Sequence, residues 1–367
     1  MQAIEKIHPR QFFILVFLYV VGDAVLYVPG LLTAEAKQDA WVSAMIGWAE
    51  GIIMVLLYSV LSNRYPGLSL IEYSETLLGK WLGKMVGILF INYLFIDASL
   101  MLMEIGDFVT TVMMPETPIE VTLILFAGII VLGTFFGLET IARTGELLFP
   151  WFIFLFLLMI VFVLPKAEPT NMQPVLAQSF TSIVSGNLRL FGYMLETVIL
   201  IMLFPYVKAS RLTGKAYQLG VFLGNSVLTI VTAVSILVLG AEITVMYAYP
   251  SYSLARKIEV GDFFERIEAI MAIIWFISIY LKITICFFGT SLGLAQVLAL
   301  KDYRPLVVPL GFIMVPMAIA SVPNRPYFDM FVSKYWMPYS LTYGLVLPLL
   351  LLLLSFIFDK KKNENTV

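Results

Sequence analysis

Ten apolar runs, most of them about twenty residues long, decide what this chain can become. They fall at 11–32, 41–62, 85–109, 120–137, 146–164, 186–207, 217–240, 268–300, 305–322 and 338–358. Such a run crosses a hydrocarbon core of about 30 Å as an α-helix, whereas a membrane β-strand needs about ten residues of alternating character. The expected fold class is therefore all-α integral membrane, with ten transmembrane helices bathed in membrane lipid. Of the 367 residues, 60% are hydrophobic and 13% charged, about half the charged fraction of a soluble domain. The eighth run could reach about 48 Å at 1.5 Å per residue, so it must tilt or project from the membrane.

Several function classes fall away on composition. A net charge of −2 gives no electrostatic footprint for nucleic acid. The single cysteine, Cys286, sits inside an apolar run, and the single histidine, His8, lies in the N-terminal tail. No internal disulfide, no thiolate or histidine metal site and no histidine-based triad is expected. Nucleophile–base pairs and phosphate loops are also missing from the sequence, so neither an enzyme nor a cofactor is expected. Lys6 and Arg10 precede the first run as in a signal peptide, but the run is longer than the usual apolar core and contains Asp23, which reads as a retained span.

Basic residues set the orientation. With the N-terminus inside, the cytoplasmic side receives Lys6, Arg10, Arg64, Lys80, Lys84, Arg143, Lys208, Arg211, Lys215, Lys301, Arg304 and Lys360 to Lys362, fourteen in all. The other side receives seven: Lys37, Lys166, Arg256, Lys257, Arg266, Arg325 and Lys334. Both termini are expected inside. Residues 67–80 have apolar positions at helical spacing and suit a short cytoplasmic surface helix. Residues 165–185, with Pro165, Pro169 and Pro174, and residues 241–264 read as outer loops, and the tail 359–367 as disordered. Glycines recur four apart at Gly79, Gly83 and Gly87, at Gly133 and Gly137, at Gly220 and Gly224, and at Gly289 and Gly293. That spacing serves close helix packing within the chain or a subunit interface.

The informative residues are charges inside these runs. Asp23, Glu50, Asp97, Glu196 and Lys282 all fall near mid-depth, where a charge is expensive and usually faces a protein interior or a water-filled cavity. Lys282 can neutralise one acid; the others must meet water, accept donors or hold a proton. The balance suits a site for a cation, a proton or an ammonium group. Glu104 and Asp107 follow Asp97 within about 80° of one helix face, a stripe that reads as the wall of an outward path. The alternative for both is a place among lipid headgroups or a pairing with Arg256, Lys257 or Arg266.

Span one carries Gly22, Asp23, Pro29 and Gly30 in mid-run or just after; span six carries Gly192 and Glu196 in mid-run, with Pro205 near its inner end. Matched interruptions in two halves of a chain point to a transporter-like site made by broken helices, with half-helix ends and freed carbonyls at one depth. Residues 11–164 and 186–358 then form two five-helix repeats of inverted topology in a single transmembrane domain, 1–367. An α-amino acid fits such a site. For each acid the plain alternative is a structural carboxylate bonded to backbone, and for Lys282 it is a static ion pair with Asp97 or Asp23. In the active readings Lys282 stands in for a bound cation or sheds a proton.

The segments YPGLSLIEYSETLLGKWLG (65–83), VPGLL (28–32), FERIEAIMAIIWFI (264–277) and LFP (203–205) resemble the B subunit of spore germinant receptors, a branch of the amino acid–polyamine–organocation permease superfamily. The resemblance covers nearly the whole chain. It implies a leucine-transporter-type fold and a nutrient-sensing role in the spore inner membrane, in complex with an A subunit and a lipoprotein C subunit. On that pattern Gly22, Asp23, Ala24, Val25 and Leu26 would line a pocket for an amino acid or similar nutrient, opposite Gly192, Tyr193 and Glu196. Asp97 of span three and Tyr280 of span eight would complete it, with Lys282, Glu50 and Glu104 as charge-coupling groups. Where the wider superfamily often has Gly-x-Gly in span one, this chain has Gly22-Asp23-Ala24. The competing expectations are a stand-alone proton-coupled amino acid permease and an ion- or solute-release channel subunit.

Overall fold

The first span breaks where the sequence places its acid. In the computed structural model, which describes residues 6–208, 210–257 and 268–364, α1 (Pro9–Val21) and α2 (Ala24–Ala36) are separated by Gly22 and Asp23. Gly22 takes φ 25° and ψ −124°, a backbone region that residues with a Cβ enter only under strain. The chain reverses at Lys37–Asp39 into α3 (Ala40–Arg64). A short α4 (Leu70–Leu78) precedes α5 (Lys80–Phe108), α6 (Ile119–Phe136) and α7 (Leu138–Val163).

The second half repeats the plan. α8 (Phe180–Leu195) passes at Glu196 into a 3-10 segment, Glu196–Tyr206, and α9 (Ser210–Leu239) follows. Two short helices, α10 (Ala241–Met246) and α11 (Pro250–Ala255), occupy the expected outer loop; its remainder from 258, and the first residues of the 264–277 motif, lie outside the described residues. Then come α12 (Glu268–Val297) and α13 (Arg304–Ser321). The last crossing is α14 (Arg325–Phe331), α15 (Met337–Leu341) and α16 (Leu347–Glu364), joined by single π turns. α16 carries helical backbone as far as Glu364, into the tail that the sequence marks as disordered.

Nine apolar stretches among the described residues are long enough to cross a membrane, with α2 and α3 counted together. The shorter α1 crosses jointly with α2, and the Lys37 turn separates that crossing from α3, which makes ten. α12 is the central helix: 78% of its apolar window is buried, against 22% for α13. It packs against α1, α5 and α7, while side chains such as Phe312, Leu147 and Leu125 face outward, where hydrocarbon rather than water is their solvent.

Glycine spacing serves internal packing. A Cβ at Gly220 would lie 2.6 Å from Val16, and one at Gly224 would lie 2.8 Å from Val20, so α9 meets α1 nearly backbone to backbone. Gly289 and Gly293 receive Leu94 and Ile91 of α5 in the same way. At the ends of spans one and six on the side where the chain begins, the Ile7 amide donates to the Tyr206 carbonyl and the Lys208 amide to the Ile7 carbonyl, both at 2.8 Å. That pair of bonds forms an isolated parallel bridge between Ile7 and Val207.

The expected surface helix is α4. Ser69 caps it, accepting from the Glu72 amide at 3.2 Å while the Glu72 carboxylate accepts from the Ser69 amide at 2.9 Å. It lies on α5 at Gly83, where a Cβ would meet the Glu75 Cα at 2.3 Å and its amide nitrogen at 2.6 Å. Backbone cannot yield as a side chain can. Gly83→Ala is therefore expected to cost about 1–3 kcal/mol and to unseat α4. Limited trypsin digestion at Lys80 should speed up in that variant; an unchanged rate would contradict the contact.

Candidate functional site

Both helix breaks aim a carboxylate at the same lysine. Asp23 occupies the N-cap of α2 yet makes no capping bond, so its side chain is free to turn inward. Glu196 stands at the junction of α8 and the 3-10 segment. Between them lies the ammonium group of Lys282, from the middle of α12, which donates to Asp23 Oδ1 and to Glu196 Oε2. All three residues are buried. The lysine stem passes over Gly22, where a Cβ would sit 2.4 Å from Lys282 Cδ. Glycine at 22 thus permits both the chain break and the passage of the lysine.

A shell of neutral donors completes the cluster. Trp336 Nε1 donates to the second Glu196 oxygen at 2.5 Å. The Tyr19 hydroxyl donates to the Glu196 carbonyl at 3.3 Å and lies 3.5 Å from Cys286 Sγ. Cys286 in turn donates to Asp97 Oδ2 at 3.4 Å. Ser278, one turn before Lys282, donates to the freed Gly22 carbonyl at 2.9 Å. The ammonium lies 5.2 Å from the Tyr19 ring centre and 5.5 Å from that of Tyr193, within reach of cation–π attraction.

The structure thus brings together Gly22, Asp23, Glu196, Lys282 and Tyr193, with Asp97 linked to Glu196 through Cys286 and Tyr19. Ala24, Val25 and Leu26 are buried beside them, and the Val25 carbonyl accepts from Ser251 of α11 at 2.6 Å. Gly192 faces Met337 and Trp336, where it lets α8 approach the last crossing. Three residues lie elsewhere. Tyr280 points at Gly133 of α6, because two residues along a helix turn a side chain about 200° from Lys282. Glu50 accepts from Asn187 of α8 at 3.2 Å. Glu104 faces a separate cavity further out along α5.

Lys282 is paired with Asp23 and Glu196, rather than with Asp97. Asp107 pairs with Arg325 at 2.8 Å, and Tyr249 donates to the same Asp107 oxygen at 2.5 Å; of the basic residues expected to pair with it, Arg266 lies outside the described residues. The Arg325 guanidinium also lies over the rings of Tyr249 (4.9 Å) and Tyr27 (5.2 Å). This clasp ties α5, α14 and the outer loop together at the end of the acidic stripe. Beyond it a mouth of 360 Å³ is lined by Tyr27, Arg189, Tyr247, Arg325 and Asp329, among others.

Sequence reasoning missed Trp336, Tyr19, Cys286, Ser278 and Arg325. Tyr19, Ser278 and Cys286 are uncharged residues in apolar runs, and Trp336 is an uncharged residue just before the last run, where nothing flags a donor. Arg325 carried a signal, since it is the only arginine in the connection between the last two runs.

Residues 6–326 match the family described as spore germination protein. The chain belongs to that family. It is 24% identical over 98% of its length to spore germination protein KB of Bacillus subtilis (strain 168), covering 97% of that protein. To spore germination protein YndE of the same organism it is 27% identical, with 96% of each chain covered. Among solved structures it resembles MhsT in complex with L-phenylalanine, with a TM-score of 0.67 and 14% identity over 95% of this chain and 98% of that one. At that identity the likeness shows the fold alone: the leucine-transporter type, with its first and sixth helices broken. The chain is therefore built on the leucine-transporter-type fold, and its ion cluster sits at the two breaks.

Proposed function

We propose that this chain is the nutrient-sensing membrane subunit of a spore germinant receptor, binding an amino acid or similar small nutrient where spans one and six break, between α5 and α12. It would lie in the spore inner membrane with both termini on the core side, in complex with an A subunit and a lipoprotein C subunit. The observation that carries the reading is the Asp23–Lys282–Glu196 cluster. One ammonium bridges two carboxylates on two different broken helices, and a third acid, Asp97, is close by.

That arrangement behaves as a latch. With Lys282 seated, the halves of spans one and six are pinned to α12. The acids outnumber the lysine, so an incoming ligand ammonium finds a carboxylate to pair with. Each charge-assisted bond is worth about 1.5–3 kcal/mol, so moving one from Lys282 to the ligand is enough to shift a two-state equilibrium. The receptor senses whichever ligand pairs better with the released state. Transport is not required for this.

Co-purification and ligand response test the reading together. The tagged chain should leave the membrane with two other proteins. A thermal-shift screen of that complex against amino acids, nucleosides and sugars should find a stabilising ligand, and Glu196→Gln and Asp23→Asn should each lose the response. Unchanged responses in both variants would discard the pocket. Nutrient uptake by the isolated chain in vesicles would favour a permease instead.

A further inference from the structure

Glu104 is buried with one carboxylate oxygen left without a hydrogen-bond donor. It is 5% exposed, and its Oε2 has no hydrogen-bond donor. It lines a 60 Å³ cavity between α2, α5 and α14, together with Tyr27, Met103, Asp107, Arg325 and Phe328. The hydroxyl of Tyr27, also buried, is likewise unpartnered. Arg325 does not serve them, since its donors go to Asp107, Asp329, Tyr249 and the Ala248 carbonyl. A buried carboxylate oxygen and a buried hydroxyl thus stand unpaired on residues that line a small, largely apolar cavity, in a fold where other buried acids are bonded.

We propose that this cavity is a second binding site that takes a primary ammonium group, the first stop for the amino group of the nutrient before it reaches Lys282. The step rests on the sensing role above. An –NH3⁺ group carries the donors that Glu104 lacks, and the Tyr27 oxygen can accept a second of its N–H bonds. Counting about 10–15 Å³ per water by this measure, the cavity has room for about four to six non-hydrogen atoms, the head of an amino acid. A hard metal ion fits less well, because the described residues include no group of three or more metal-ligating acids, histidines or cysteines. Glu104 lies seven residues from Asp97, about 10 Å along α5, so the site stands between the outer mouth and the central cluster. Tyr27 and Arg325 line both this cavity and the mouth.

The test is thermal unfolding of the purified full-length chain, titrated with methylammonium chloride and, in parallel, with sodium chloride and tetramethylammonium chloride. Methylammonium should raise the midpoint saturably, and the two control salts should not. Glu104→Gln should weaken the apparent affinity about ten-fold or more, and Tyr27→Phe by a few-fold. Tyr27→Phe retains the ring and supplies the answer if Glu104→Gln fails to fold. An equal response to sodium, or a methylammonium shift that survives either substitution, overturns the site. The two readings fail separately. A chain that responds to an amino acid but not to methylammonium loses this site and keeps the central one; a methylammonium shift with no response to any nutrient does the reverse.

Discussion

Lys282→Met is expected to abolish the nutrient response and to destabilise the chain by about 3–5 kcal/mol. The loss has two parts. Asp23 and Glu196 are left facing one another in a site closed to solvent, with no counter-charge between them. Methionine preserves the packing volume, so the penalty is electrostatic rather than a cavity. The triple variant Lys282→Met, Asp23→Asn, Glu196→Gln should therefore regain most of the stability and none of the response, since a buried ion cluster is commonly replaceable by neutral groups. Thermal unfolding in detergent measures the first effect, and the nutrient-induced shift measures the second. A fully responsive Lys282→Met chain would sink both active roles of the lysine.

Gly22→Ala should disable the same site through the backbone. At φ 25°, ψ −124° a residue with a side chain carries about 1–3 kcal/mol of strain. Its methyl group would also stand 2.4 Å from Lys282 Cδ and 2.7 Å from the Tyr19 carbonyl oxygen. The lysine can retreat only by leaving an acid, and the carbonyl cannot retreat at all. The expected outcome is a destabilised chain with no nutrient response. Ala24→Gly is the control: it lies in the first turn of α2, where glycine costs about 0.5–1 kcal/mol and clashes with nothing. A Gly22→Ala chain as stable as this control would overturn the argument from crowding.

Much of the architecture is legible in the sequence because a membrane span announces itself by length and apolarity. The site is legible for a related reason: charge at bilayer depth is conspicuous, so Asp23, Glu196 and Lys282 stand out from the apolar residues around them. Pairings are harder to see. Lys282 has Asp97 and Asp23 as apparent rivals at one depth, and only the folded packing brings Glu196 to it in place of Asp97. Trp336 holds the far oxygen of Glu196, yet one tryptophan at the edge of an apolar run resembles any other. Tyr280 falls in the pocket by resemblance, although its spacing from Lys282 sets it on the opposite face of α12. Helical periodicity alone could have caught that. Arg325 shows the limit of counting charges by side, because a residue assigned to an outer loop turns inward and closes over the acidic stripe.

The bridge between Ile7 and Val207 bears on how the site communicates. It yokes the α1 half of the first crossing to the 3-10 half of the sixth. Their other halves, α2 and α8, lie across the breaks and pack on each other without such a backbone tie. A disturbance at Lys282 that moves one of these two segments is then expected to carry the other with it. Whatever is felt between the acids is then expected to leave the molecule as a joint tilt of two rods, at the face where the chain begins.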